Sequence, residues 1–472
     1  MQRGSERSFK ETFRTNAYIS SIDDWAFTYE SAYKRLCNQF SINSLKGFGV
    51  ENDQLAITAA GAILSYLELT HHNALTNICS ISRIERDTFV WMDKFTVRNL
   101  EIFSSLAPAE GVSLLDVIDK CTSPMGSRLL KKWLAMPLMD IDELNIRHDV
   151  VDFFVQHNEE RDEIRELIGS IGDMERIVSR AAAGRISPRE LVQLRRGLDK
   201  VEPIKSIATK GNSIALNQVA ARLNDPLALR QLLENTLSQD PAVAVGKGDV
   251  IAQGVDAQLD DLRNIVLHGK DILSQIQKEE SERTGIPSLK ISYNNVFGYY
   301  IEVRNTHKDK VPSNWIRKQT LVSAERYITE ELKNYEEQIV GAQDKIYVLE
   351  SSILASLVQK VQEQVGVILD NAKTIAQLDV LSNFAEVAVL NNYSRPKLNK
   401  EGKLAIVQGR HPVIEQMMNP GEEYVANDLT LNSSDQQIII LTGPNMSGKS
   451  ALLRQTALIV LMAQIGSFVP AK

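Results

Sequence analysis

Little in this sequence suits metal or disulfide chemistry. Three cysteines in 472 residues, Cys37, Cys79 and Cys121, are too few and too scattered for a disulfide framework or a C-x-x-C site, so a reducing compartment is the default. The seven histidines show no ligand spacing, and the adjacent His71 and His72 read as a solvated helix end. No apolar run reaches the length of a membrane span; the longest, Ala457–Ala463, reads as a buried helix face. The opening residues Met-Gln-Arg-Gly-Ser-Glu-Arg are polar with no apolar stretch behind them, which excludes a secretory signal here and points to the cytoplasm. Excess positive charge is also missing. The formal net charge is −7, which argues against a chain coated uniformly in nucleic acid and leaves room for a local basic patch.

What is present is ordinary globular material, with 43% hydrophobic and 24% charged residues, enough for roughly three domains at this length. Up to residue 85, strand-like pieces (Ala17–Ile22, with Thr88–Met92 just beyond) are mixed with a helix expected over Gln54–Leu67. The Gly-punctuated stretch Ser44–Val50 leads into that helix. From Val97 to Lys205 the pattern turns helical, with Leu191, Leu194, Leu198 and Val201 at 3–4 spacing. Another amphipathic helix is expected over 256–285, stopped by Gly285-Ile-Pro287. Then Leu289–Tyr293 and Tyr299–Arg304 alternate as two strands joined through Asn294–Gly298.

After Thr329 one long helix is expected. Leu332, Tyr335, Ile339, Ala342, Ile346, Leu349, Ile353 and Leu357 keep the 3.5-residue step of a coiled-coil seam. A rod carrying a small β-tip, or a plain helical bundle with an inserted hairpin, both fit this pattern. Near Pro396 the texture changes again. Leu404–Val407, Gly409-Arg-His-Pro412 and the apolar Ile438–Leu441, read as a buried parallel strand, announce an α/β domain.

Two segments carry chemistry. Gly443-Pro444-Asn445-Met446-Ser447-Gly448-Lys449-Ser450 fits G-x-x-x-x-G-K-[ST] in full, with a helix expected over Ala451–Ala463. Glycines let successive backbone N–H groups turn inward to cradle phosphates, and the helix start adds partial positive charge. Lys449 is placed for the β- and γ-phosphates of ATP or ADP, and the Ser450 hydroxyl for Mg²⁺. Hydrolysis also needs an acid on a neighbouring strand, and the 22 residues after Ser450 contain no Asp or Glu. The other segment, residues 303–318, sets Arg304, Lys308, Lys310, Arg317 and Lys318 against Asp309 alone, a local charge of +4. That is a footprint for a polyanion backbone, or else a solvated lysine-rich loop. Asn314 and Trp315 beside it are candidates to meet a sugar–phosphate chain.

The phosphate loop, with Leu453-Arg-Gln-Thr-Ala457 and Ile465-Gly-Ser-Phe-Val-Pro-Ala471 behind it, resembles the MutS family of DNA mismatch-repair proteins. Gly298-Tyr-Tyr-Ile-Glu-Val303, Trp315-Ile-Arg-Lys-Gln-Thr-Leu321 and Ala324-Glu-Arg-Tyr-Ile328 resemble its clamp. Ser44–Val50 resembles its connector, and Ser123-Pro-Met-Gly-Ser-Arg-Leu129 with Trp133 and Pro137 the start of its core. The resemblance implies a multidomain fold: a partial α/β connector (1–85), long all-α core and lever helices (86–255 and 331–395), an inserted small β-containing clamp (256–330) and a truncated P-loop α/β ATPase domain (396–472). It also implies duplex DNA held through the five cations, ATP or ADP with Mg²⁺, Tyr424 as an adenine-stacking aromatic, a homodimer in the full-length form, and downstream factors of the MutL type.

The family's Phe-x-Glu mismatch wedge has no counterpart in context. Phe9-Lys-Glu11 and Phe384-Ala-Glu386 match only in letters, and Ala451 stands where many relatives have Thr. A MutS-like DNA clamp without mismatch reading is the alternative. An unrelated chromosome-organising P-loop ATPase fits less well, because it lacks the clamp segments.

Overall fold

The computed structural model describes residues 1–472 except 8, 10–17, 71–74, 76–77, 84–87, 108–110, 295–297, 420 and 445–447, with the backbone alone for 269–271. The adjacent His71 and His72, Ala17 of the first strand-like piece, and Lys10 and Glu11 of the first Phe-x-Glu match lie outside the described residues. The chain forms two compact units, one of Met1–Ile186, Gln193–Leu227 and Val361–Lys472, the other of Ser187–Val192 and Ala228–Lys360.

The first unit is mostly helical. Its centre is the helix Val365–Asn391, apolar around most of its circumference, which marks a helix enclosed on all sides. Buried polar residues interrupt that surface and take hold of backbone that no helix satisfies. The Asp379 carboxylate, 0% exposed, accepts from the Thr122 N–H (2.9 Å) and hydroxyl (3.0 Å) and from the Ser123 N–H (2.8 Å) and hydroxyl (2.6 Å). Ser123 in turn caps the helix Pro124–Ala135, with Pro at its first position. A Cβ on Gly126 would lie 2.1 Å from the Asp379 Oδ2. Ser123-Pro-Met-Gly126 is thus a docking motif for one buried carboxylate. Asn383 bridges the Ile118 carbonyl (2.9 Å) and Lys120 N–H (2.7 Å) in the same manner.

Near the start of the chain, the helices Tyr29–Gln39 and Gln54–Leu69 pack around Leu36, Leu45, Ile57 and Leu64. The strand-like readings there are not sustained: Ile22 makes an isolated bridge to Gln2, and Phe89 one to Leu138. Past residue 396 the strands β5 (Leu404–Gly409) and β6 (Asn427–Leu431) pair antiparallel. Ile438–Leu441 is not a buried parallel strand. It has no regular structure, and its four residues are 82%, 41%, 84% and 38% exposed. A parallel strand needs neighbours on both edges and both faces, and the described residues pair none with it.

In the second unit the helix Ala257–Thr284 starts on an Asp256 cap and ends at Gly285 in the left-handed conformation (φ 64°). A four-stranded antiparallel sheet follows, in the order β1 (Lys290–Asn294), β2 (Gly298–Arg304), β4 (Ala324–Ile328), β3 (Ile316–Thr320). Two of these strands lie beyond the hairpin expected from sequence. Ile301, Val303, Trp315 and Tyr327 face a core shared with Leu273, Leu332 and Ile339. The helix Glu330–Glu363 runs 34 residues, about 50 Å, and its expected seam is buried or half-buried throughout. Glu350 on it, 1% exposed, pairs with Arg263 at 2.8 Å. Gly298 has φ 74°, the left-handed conformation that favours glycine.

Candidate nucleotide loop and nucleic-acid interface

The phosphate loop opens onto the helix Lys449–Ile465, entered through Gly448 at φ 83°. Lys449 and Ser450 sit in its first turn, with Ser450 exposed. The Lys449 ammonium donates to the Gly443 carbonyl at 2.6 Å and to the Pro444 carbonyl. It is folded over the loop's own backbone, on acceptors that an incoming phosphate oxygen can replace. Asn445, Met446 and Ser447 lie outside the described residues.

One turn further along, Gln455 is 1% exposed and its Oε1 accepts from the Tyr424 hydroxyl at 2.9 Å. Tyr424 is half-buried, and burial raises its pKa. A Cβ on Gly409 would stand 2.7 Å from the Gln455 Nε2, which explains the glycine. The rest of Gly409-Arg-His-Pro412 forms a structural joint. Arg410 binds Glu415 (2.5 Å) and the Asn392 carbonyl (2.8 Å). His411 is 5% exposed and accepts at Nδ1 from the Val413 and Ile414 N–H groups. Burial first, and Arg454 second, pull its pKa to about 4.

Contacts along its length seat this helix on the core. Arg454 pairs with Glu101 at 2.8 Å. At the far end Arg147 donates to the Ile465 carbonyl at 3.1 Å while lying 3.5 Å from the Trp133 ring centroid. Burial lowers the Arg147 pKa to about 10. Gly466, at φ 91°, leaves the space that Arg147 fills.

In the second unit all five expected cations are exposed, but they are not alike. Arg304 ends β2, and Lys318 falls where the β3–β4 register slips between Arg317 and Gln319. Lys310 donates to the Gly285 carbonyl at 3.2 Å. Lys308 and Arg317 both reach Glu325, at 2.8 and 3.4 Å. Trp315 is not available to a sugar–phosphate chain: it is 6% exposed, packed 5.8 Å from Tyr327 between ring centroids. An aromatic beside basic residues fits core or ligand equally well on sequence, and here the core claims it.

The patterns described as MutS domain II, MutS domain III and MutS domain V match residues 7–79, 95–385 and 439–472. The chain belongs to the MutS family. The DNA mismatch repair protein MutS of Phocaeicola vulgatus is 54% identical over 471 residues, covering 100% of this chain and 54% of that protein. The same-named proteins of Bacteroides fragilis (52% over 471) and Flavobacterium psychrophilum (51% over 464, 98% of this chain) are each also covered to 54%. The chain thus spans about half the length of the curated relatives it matches.

Within this MutS frame the five cations fall inside the domain III match and the phosphate loop inside the domain V match. Gly409–Pro412 and Tyr424 lie between the two. Sequence reasoning missed Glu325, Gln455, Arg147 and Asp379, whose roles depend on partners distant in the chain. Phe384 is 0% exposed and Glu386 pairs with Arg161 at 3.1 Å, so Phe384-Ala-Glu386 is core material. Among the described residues no helix is long and apolar enough to cross a membrane, and no three His, Cys, Asp or Glu side chains group as a metal site.

Proposed function

We propose that the chain is the DNA-embracing and nucleotide-binding part of a mismatch-repair protein of the MutS type. The observation that carries this is the exposure of Arg304 on β2, Lys308 and Lys310 on the adjoining 3-10 turn Asn305–Lys310, and Arg317 and Lys318 on β3 in a chain of net charge −7. Cations gathered on neighbouring elements bind the phosphate backbone and carry no base-reading geometry. We assign 1–85 to the connector, 86–255 and 331–395 to the core and lever helices, 256–330 to the clamp and 396–472 to the ATPase domain, the first and last with the α/β character of their families. Partners of the full-length protein are a second copy and factors of the MutL type, in the cytoplasm.

At the nucleotide loop, Lys449, the loop backbone and Gly448 fit the phosphates of ATP or ADP, Ser450 fits Mg²⁺ and Tyr424 the adenine. Mg²⁺, when bound, neutralises charge between the phosphates. Lys449 holds the terminal phosphates, and the N-terminus of its helix supplies the remaining positive field. For the 472-residue chain we propose nucleotide binding without appreciable turnover.

The test is anisotropy of labelled duplexes with the 472-residue chain. Salt-sensitive binding, nearly equal for paired and mismatched duplexes, supports the reading; salt-independent or absent binding sinks it. Steady-state ATP hydrolysis abolished by Lys449→Ala sinks the turnover part. A clamp without mismatch recognition is the second reading; the letter match at Phe384 is buried core.

A further inference from the structure

The five cations differ in how they are built, and Glu325 makes the difference. It lies on β4 with its side chain on the core face of the sheet, opposite Val303 on β2 and Thr320 on β3. That face is otherwise apolar or aromatic, with Ile301, Val303, Trp315 and Tyr327. A carboxylate 2% exposed in such a place needs partners. It has three. The Tyr327 hydroxyl donates to Oε2, while Lys308 (2.8 Å) and Arg317 (3.4 Å) both approach Oε1.

Lys308 comes from the 3-10 turn Asn305–Lys310 and Arg317 from β3. Convergence on a single oxygen keeps their nitrogens within about 6 Å of each other, near enough for one phosphate to meet both. Their side chains remain 54% and 56% exposed, so the donors that Glu325 does not use face water. Lys308, above all, holds the Glu325 carboxyl below the usual range.

We propose that Lys308 and Arg317, gathered by the buried Glu325, form one cradle for a single phosphodiester group. Arg304 and Lys318 then act as separate contacts, and Glu325 is a positioning residue that never touches the ligand. This rests on the duplex-binding reading above.

The experiment is the salt dependence of binding of a fully paired DNA duplex to the 472-residue chain and its variants. Each phosphate neutralised contributes about 0.9 to the log–log slope. For one shared phosphate, Lys308→Ala/Arg317→Ala flattens the slope by about 0.9. Two independent contacts would flatten it by about 1.8, and that result overturns the cradle. Glu325→Gln keeps the shape and the Tyr327 contact, and is expected to flatten the slope by the same ~0.9, with the double alanine change adding nothing on top.

Tighter binding and a steeper slope for Glu325→Gln would mean that Glu325 competes with phosphate, and would overturn its positioning role. Should Glu325→Gln unfold the sheet, the shared or independent slopes of the alanine variants still decide the cradle. A smaller slope for Arg304→Ala and Lys318→Ala alongside an unchanged Lys308/Arg317 pair sinks the cradle and leaves the interface. No salt-dependent binding by the unaltered chain sinks both.

Discussion

In the four-stranded sheet β1–β4 the inward residues Ile301, Val303, Trp315 and Tyr327 are at most 6% exposed, and every strand has a hydrogen-bonded neighbour. Around the phosphate loop, Ile438–Leu441 is as apolar as any strand of that sheet, yet 38% to 84% exposed. It borders a groove of about 610 Å³ lined by Leu429, Leu431, Leu452 and Val460. The sheet closes because antiparallel strands meet through short connections and find their partners nearby in the chain. A parallel strand takes its neighbours from far along the sequence, so local apolar pattern alone cannot bury it. The proposed nucleotide site lies beside the open surface, and the proposed polyanion footprint on the closed one.

The sharpest way to break that contrast is to hollow the closed side. Trp315→Ala removes a buried ring from the sheet's core, at a cost of about 3–5 kcal/mol. Hydrogen-exchange protection should collapse in β1–β4 while nucleotide binding is unchanged. Equal loss of protection in the helix Lys449–Ile465 would show that the two regions fold as one.

Acid offers the converse, acting on the unit that carries the loop. His148 and His411 are buried, and burial lowers both from 6.5 to about 4. A histidine with a depressed folded pKa is neutral in both states above pH 6.5, so its native environment costs nothing there. Between 6.5 and 4 the unfolded chain takes up the proton and the folded one does not, and stability falls by up to about 3 kcal/mol per group. Thermal unfolding followed from pH 7 to 4 should show this decline, reduced in His411→Asn. A flat profile would mean that His411 protonates in place.

Lys449→Ala separates binding from folding at the open site. Loss of a charged donor weakens ADP affinity roughly 10- to 100-fold, read by titration calorimetry. The melting temperature of the unliganded chain should stay unchanged.

Much of this architecture was legible in sequence, for reasons that also explain the gaps. The 3.5-residue seam of Glu330–Glu363, the Gly285 stop and the phosphate loop are local patterns, and each sits where the spacing requires. Strands β3 and β4 were missed because β3, Ile316-Arg-Lys-Gln-Thr320, is mostly exposed and shows no apolar alternation, while β4 turns a carboxylate inward. Asp379 was invisible for another reason. Its partners Thr122 and Ser123 are more than 250 residues away, and no periodicity records such a bond. Trp315 was legible as important but not as core.

The smallest expected effect is also the one that tests the contrast most directly. Ile440 is 84% exposed, and a β-branched residue in the middle of an apolar run is where a sequence reader expects a strand interior. Buried there, its replacement by serine would cost 2 kcal/mol or more, roughly the transfer free energy of its side chain. Exposed as it is, Ile440→Ser should change stability by no more than about 0.5 kcal/mol and make the chain more soluble, since exposed apolar segments drive association. Chemical denaturation of the 472-residue chain at low concentration reads the first quantity and light scattering the second. A cost near the buried figure would mean that a second copy already covers Ile438–Leu441 in solution. The open side of the comparison would then be closed between molecules.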